Sequence, residues 1–514
     1  MALLYTKKGQ MGWQRGASPV NYLAPNVHGP NVFTGHSEMH QVVPQDNFFF
    51  HMESAATPMH VGLLCIYNQS TTTAGKVRFK DIIQTFAERL HKVPPLRHRV
   101  VSTPLKLDYP YWIVDPDFDI EFHMRHIALP APGDWRQLCI LVARLNARPL
   151  DMGRPLWEAT VIEGLDNIAG LPEGCFAIHA KIHLSVFNRE LGGQVMAALH
   201  ELEPNSPTSK EERHTLVDRI PTDAELLSRA AINRVKIIGS YIDVARRHAV
   251  PTLCKLLDAA RHKRRCSLLK APSTLFNKRV SPHRVIENVS VSMERVQAIR
   301  NSCQGARFND VVIAIIAGGM RRYLLKKGAL PCQSLTAMFP IALPPKDASQ
   351  NRIHRFSHIF PRLFTDIEDD WQRLVKLVPH MAQARHTLVQ LDWQLTDDIA
   401  RLFPNTLADL LLKSVVNYQI ARGSGVFFNT LISSVPGPHI PLYLGGARLE
   451  ACYGLDPIYN NVGLSHNVFS YNETLNITIN ACRCMMPDPD FYAECLQEAC
   501  TALQNVANSS ATGQ

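Results

Sequence analysis

CFAIHAKIHLSVFNRELGG, residues Cys175–Gly193, decides how this chain is read. Cys175–His183 has the length and apolar content of a strand, and the turn-rich GLDNIAGLPEG (Gly164–Gly174) separates it from a second strand pattern at Trp157–Glu163. From Asn188 to Leu202 the pattern becomes helical. On a strand, alternate side chains share a face, so His179 and His183 point one way and Leu184 the other.

The same grammar extends in both directions. Val61–Tyr67 reads as a buried strand, and Phe79–Val93 and Trp135–Ala147 read as amphipathic helices; Ile82, Ile83, Phe86 and Leu90 form the stripe of the first. In the second half, Val285–Met293 alternates as a strand and Met293–Cys303 is helical. Asn309–Gly328 is a strong helix, with Asn309 as expected N-cap and Arg321, Arg322, Lys326 and Lys327 near its end. Leu335–Leu343, Asn429–Val435, Arg448–Tyr453, His466–Tyr471 and Leu475–Cys484 are strand-like, and Phe491–Asn505 closes the chain as a helix. This repeated order points to an α/β protein of two related lobes around one interface.

The chain has 514 residues, 46% hydrophobic and 19% charged, so it builds a large core without metal or disulfide staples. Residues 1–38 read as an extended arm, 39–205 as a first lobe, 206–270 as a basic helical linker and 271–514 as a second lobe. The net charge of +9 is too mild and too local for a nucleic-acid-binding protein. Between Tyr241 and Lys270 stand eight Lys/Arg against two Asp, around a helical pattern broken at Pro251. The linker therefore either packs on its own protein with its cations in water or lies on an anionic membrane or lipid-droplet surface. Twelve cysteines without a C-x-x-C pair fit reduced thiols in the cytoplasm. Cys482 and Cys484, on a strand, share a face but stand too close in sequence for an easy bridge. No secretory leader and no apolar run of about 18 residues is present, so the expectation is a cytoplasmic protein, peripheral on a membrane at most.

Six blocks occur in a fixed order: PQDNFFFHMESAATPMHVG (Pro44–Gly62), LDMGRPLWEATVIEGL (Leu150–Leu165), KIHLSVFNRELGG (Lys181–Gly193), FNKRVSPHR (Phe276–Arg284), FNDVVIAIIAGGMRRYL (Phe308–Leu324) and SSVPGPHIPLYLGGARL (Ser433–Leu449). Together, over roughly residues 40–505, they resemble the bacterial wax ester synthase/diacylglycerol acyltransferase (WS/DGAT) family. The resemblance implies two lobes of the chloramphenicol-acetyltransferase and condensation-domain type with a tunnel between them. It also implies transfer of an acyl group from acyl-CoA, the co-substrate, to a hydroxyl acceptor lipid, giving triacylglycerol or wax ester with no other cofactor. In the family motif HHxxxDG the second His acts as general base, the Asp holds the turn and the Gly lets it bend.

This chain departs from that motif where the chemistry lies. His183 keeps the first position; Leu184 stands where the catalytic His is expected, Asn188 replaces Asp and Arg189 replaces Gly. His183, either a working base or a buried structural histidine turned away from the tunnel, and Asn188, as a turn-holding group, remain the candidate catalytic residues; a metal site from His179 and His183 is not expected, for want of a third ligand. Asn309 and Asp310 resemble the family's ND pair. Ser433, Ser434, Pro436 and Gly437 match its S-N-V-P-G-P loop except that Ser434 replaces Asn, so all six are candidate substrate-binding residues. Pro155–Leu156–Trp157 reads as structural, and Ser185 lacks a G-x-S-x-G elbow and is not read as a nucleophile. Two readings stay open: an O-acyltransferase, and an acyl- or lipid-binding module that has lost its base.

Overall fold

Cys175–His183 lies in the interior of a six-stranded sheet ordered Tyr443–Leu444, Ala447–Leu455, His60–Asn68, Cys175–His183, Trp157–Leu165, Met124–Ala128. It pairs antiparallel with both neighbours, and Met124–Ala128 runs parallel to Trp157–Leu165 at the edge. The computed structural model describes residues 39–73, 75–187, 189–204, 219–235, 271–342, 356–390 and 426–512. The arm 1–38, Asn188 and the basic stretch 241–270 lie outside them.

Alternation assigns the two faces of this sheet. Phe176 and Ile178 pack under helices Phe79–Arg89 and Arg189–Leu199 through Ile82, Phe86 and Leu191. Cys175 and Ala177 face helix Trp135–Asn146 through Leu138 and Val142, in a cluster that also takes Ile286 and Tyr453 from the second half. That helix lies between the lobes, and its Trp135 Nε1 donates to Glu287 Oε1 across the junction at 2.6 Å.

The second sheet has the order Phe356–Ile359, Ala337–Ala342, Thr430–Pro436, Leu464–Tyr471, Thr474–Cys482, Arg284–Ser292. Its core is built on helix Phe308–Lys326, whose run from Val311 to Met320 is buried, as expected of a helix apolar on all sides. Helix Pro489–Thr512 crosses it closely: a Cβ on Gly319 would come within 2.4 Å of Leu496 Cδ2. A small third sheet joins His40–Gln41, Tyr111–Val114 and His98–Val101.

The two halves exchange structure. Tyr443–Leu444 and Ala447–Leu455 stand in sequence between two strands of the second sheet, Thr430–Pro436 and Leu464–Tyr471, yet they complete the first sheet, with Ala447–Leu455 antiparallel to His60–Asn68. Burial drives the exchange, because Leu444, Ala447, Leu449 and Cys452 all enter the first lobe's core.

Two local expectations are corrected. The N-cap of the long helix is Arg307 rather than Asn309; Asp310, three residues on, accepts the Arg307 backbone N–H at 3.0 Å. The last strand ends at Cys482, where Met485 and Met486 donate to the Cys482 carbonyl and turn the chain, so Cys484 is not on the strand.

Candidate functional site

The chain turns as soon as Cys175–His183 ends. His183 N–H donates to Leu156 O (3.0 Å), Leu184 N–H to Met59 O (2.8 Å), and the amides of Val186 and Phe187 return to His183 O. Two of the sequence landmarks thus clamp the third: the Pro155–Leu156–Trp157 segment and the loop after helix Pro44–Met52 hold His183 and Leu184 by their backbones. Trp157 is itself fixed, its Nε1 donating to Leu96 O at 2.7 Å and its ring stacked on His123.

His183 is completely buried, whereas Leu184 is only half-buried. The imidazole stacks on Phe50 (4.9 Å between ring centres). The Ser185 backbone N–H points at Nδ1 from 3.1 Å and Ser185 Oγ lies 2.6 Å from the same atom. An amide can only donate, so Nδ1 is the acceptor and the ring proton sits on Nε2. There Glu53 Oε2 stands 3.3 Å away, a close electrostatic approach that is not aligned well enough for a hydrogen bond. Glu53 Oε2 accepts the Met59 N–H at 2.5 Å, while Oε1 is buried without a protein partner. Hydroxyl, imidazole and carboxylate therefore stand in series across one ring.

The remaining motif positions divide. Arg189 opens helix Arg189–Leu199. Asn309 and Ser434 come together, Ser434 Oγ donating to Asn309 Oδ1 at 3.0 Å, which joins strand Thr430–Pro436, on which Ser433, Ser434 and Pro436 lie rather than in a loop, to the start of the long helix. Ser433 turns inward: its hydroxyl donates to Asp456 Oδ2 and accepts from Asn467 Nδ2. Burial pushes the Asp456 carboxyl up to about 6, against the pull of Ser433 and Asn467. Asp310 is fully buried, and its carboxylate is taken by Arg385 at 3.1 Å and by the helix cap. Pro436 is exposed and Gly437 is set by close approach, since a Cβ there would fall 2.1 Å from Ser470 O. Asn309 and Ser434 are the half-exposed members of this group able to offer hydrogen bonds.

The other buried imidazoles do different work. His179 Nε2 and Asn146 Oδ1 converge over Gly62, and His179 is held down to about 3 by burial and by Lys181. His60 opposes His183 in the sheet and bonds Asn146 O at 2.7 Å. Lys181, between His179 and His183, is buried and reaches Glu158 (3.1 Å) and the Arg148 carbonyl (2.8 Å). Across the interface Arg284, the last residue of the fourth landmark, donates to Ala56 O in the loop that carries Glu53 to Met59. Burial lowers its guanidinium to about 10.

Sequence reading marked His183 but missed Glu53 and set Ser185 aside. Glu53 lies far away in the chain, and only the FFFHMESAATPMHVG block, quoted as a landmark, drew attention to its neighbourhood. Ser185 approaches His183 because a turn follows the strand, which strand alternation does not describe.

Residues 42–312 match the wax ester synthase/diacylglycerol acyltransferase catalytic domain and residues 354–504 the WS/DGAT C-terminal domain. A probable diacylglycerol O-acyltransferase of Mycobacterium tuberculosis is 30% identical over 460 residues, 87% of this chain and 95% of the relative. The O-acyltransferase WSD of Acinetobacter baylyi is 28% identical over 463 residues, 87% and 93% of the two chains. Among solved structures, a wax ester synthase/diacylglycerol acyltransferase from Marinobacter aquaeolei superposes with a TM-score of 0.63 at 24% identity, covering 91% of this chain and 99% of that one. A starter condensation domain of rhizomide synthetase, crystallised with C8-CoA, gives 0.52 at 11% identity over 91% and 94%. Both solved structures show the same two-lobed fold.

Proposed function

The chain belongs to the wax ester synthase/diacylglycerol acyltransferase family, and on that premise we propose that it moves an acyl group from acyl-CoA to the hydroxyl of an acceptor lipid, with Ser185, His183 and Glu53 in place of the missing second motif histidine. The arrangement that carries the reading is Ser185 Oγ at 2.6 Å from His183 Nδ1, with Glu53 beyond the opposite ring nitrogen. The acceptor hydroxyl hands its proton to Ser185 Oγ as Ser185 passes its own to Nδ1. The acceptor oxygen attacks the thioester carbonyl, and the tetrahedral species collapses with loss of the CoA thiolate, which recovers the proton by the same route. Glu53 stabilises the imidazolium formed on the way. Asn309 and Ser434 orient the substrates at the start of the long helix.

A second reading has its own observation. His183 is completely enclosed and an apolar side chain, Leu184, is the more open of the two. A protein built this way holds acyl-CoA or lipid without turning it over. Incubation of the full chain with radiolabelled palmitoyl-CoA and either diacylglycerol or hexadecanol separates the two. Labelled ester on a thin-layer plate supports transfer; saturable palmitoyl-CoA binding with no ester supports the module. In the second case Leu184→His with Asn188→Asp and Arg189→Gly restores turnover.

We place the protein at the cytoplasmic surface of an anionic membrane or lipid inclusion through the basic stretch 241–270. Among the described residues no helix is long and apolar enough to cross a membrane.

A further inference from the structure

Among the described residues, two pairs of cysteine sulfurs approach closely outside the transfer site, and they differ in exposure and in the groups around them. Cys65 and Cys452 oppose each other in the first sheet with sulfurs 3.4 Å apart. Both are buried, and desolvation with the neighbouring Cys65 pushes the Cys452 thiol well up. Such thiols are inert.

Cys482 and Cys484 lie at the opposite extreme. The turn after the last strand brings their sulfurs to 3.3 Å, and Cys484 is exposed. Cys482 is buried, but its sulfur receives the Ser281 backbone N–H and lies against the Ser281 hydroxyl, each at 3.3 Å. Burial alone would push this thiol up; the Ser281 hydroxyl and amide and the Cys484 thiol outweigh it and bring Cys482 below its ordinary value. Beside it in the sheet, directly opposite Cys482, stands Arg284. Its guanidinium is buried and bonded only to the carbonyls of Ala56, Ser281 and His283, with no carboxylate partner among the described residues. A thiolate supplies the negative charge that this cation lacks.

We infer that Cys482 and Cys484 form a reactive dithiol that peroxide closes to an intrachain disulfide. At 3.3 Å either sulfur can donate to the other, so a single proton can pass between them and leave the exposed sulfur free to attack. Cys484 thiolate attacks one oxygen of hydrogen peroxide; the O–O bond breaks, hydroxide leaves and is protonated to water, and Cys484 becomes a sulfenic acid. Cys482 Sγ then attacks Cys484 Sγ, the S–S bond forms, the S–O bond breaks, and the hydroxide takes up the second thiol proton. The balance is two thiols and one peroxide giving one disulfide and two waters. A small thiol reverses it by exchange. Closure removes the thiolate beside Arg284, the residue that ties the second lobe to the Ala56 loop.

The test uses the full reduced chain, treated with hydrogen peroxide, alkylated, digested with chymotrypsin and mapped by mass spectrometry. The expected result is loss of alkylation at Cys482 and Cys484 together, a mass about two units lower, and recovery with dithiothreitol, while Cys65 and Cys452 stay reduced. Exposed Cys332 serves as the internal measure of ordinary thiol oxidation. Cys484→Ser, at an exposed position, abolishes the bridge and leaves Cys482 alkylatable. The inference is overturned if Cys482 and Cys484 remain free under peroxide that oxidises Cys332, or if Cys484 bridges to another cysteine. None of these readouts depends on acyl transfer.

Discussion

Asp456→Asn offers the most quantitative check on how the lobes are joined. Asp456 ends the exchanged hairpin, is 7% exposed, and binds Ser433 on strand Thr430–Pro436. Its carboxyl titrates near 6 in the folded chain against 3.8 ordinarily. At 1.36 kcal/mol per pH unit, that gap is worth about 3 kcal/mol. The sign follows from which state ionises first. Below pH 3.8 the carboxyl is protonated whether folded or not, and the folded state bears no penalty. As pH rises towards 6 the unfolded chain ionises while the folded one resists, so stability falls; above 6 both are ionised and the loss stays constant. An asparagine keeps an acceptor for Ser433 and cannot ionise. Denaturant titrations of wild type and Asp456→Asn therefore diverge as pH rises, with the variant gaining about 3 kcal/mol between pH 3 and 7 relative to wild type. A difference that does not change with pH would mean that Asp456 is not held in its neutral form, and the burial argument would fail.

Ser185→Ala removes the hydroxyl and leaves the amide that fixes Nδ1. Stability drops by only about 1 kcal/mol, while the rate of CoA release falls about a hundredfold or more; an unchanged kcat removes Ser185 from the path. Gly437→Ala drives a Cβ against Ser470 O and the Phe469 ring, and its thermal midpoint falls with a cost of about 2 kcal/mol, whereas a wild-type midpoint would show that the loop shifts freely. Neutralising Arg261, Lys263, Arg264 and Arg265 abolishes sedimentation with anionic liposomes, which in wild type weakens as salt rises; salt-independent pelleting contradicts the electrostatic account.

Much of the fold was legible because its elements are locally encoded. Cys175–His183 is a strand over the residues its pattern marks, and the long helix is buried as its all-round apolar sequence demands. The exchanged hairpin was not legible: Arg448–Tyr453 reads as a strand, but nothing local says that it pairs with His60–Asn68 in the other half. The short strands His98–Val101 and Tyr111–Val114 were missed because so few residues carry no period. At the site, the sequence identified the altered motif and gave His183 the face opposite Leu184. It did not reveal that Glu53 and Ser185 close around the imidazole, because one contact spans distant segments and the other depends on a turn. Asp310, expected near substrate, proves to be spoken for by Arg385, a residue whose place on helix Asp370–Gln390 no local pattern indicated.

The measurement that bears most directly on the whole account is thiol release from palmitoyl-CoA in the presence of diacylglycerol or hexadecanol, compared between wild type and two variants, His183→Ala and the bulkier His183→Gln, each shown to be folded by circular dichroism. The account predicts acceptor-dependent release of CoA by wild type and its loss in both variants. Release that continues undiminished in folded His183→Gln and His183→Ala would contradict it.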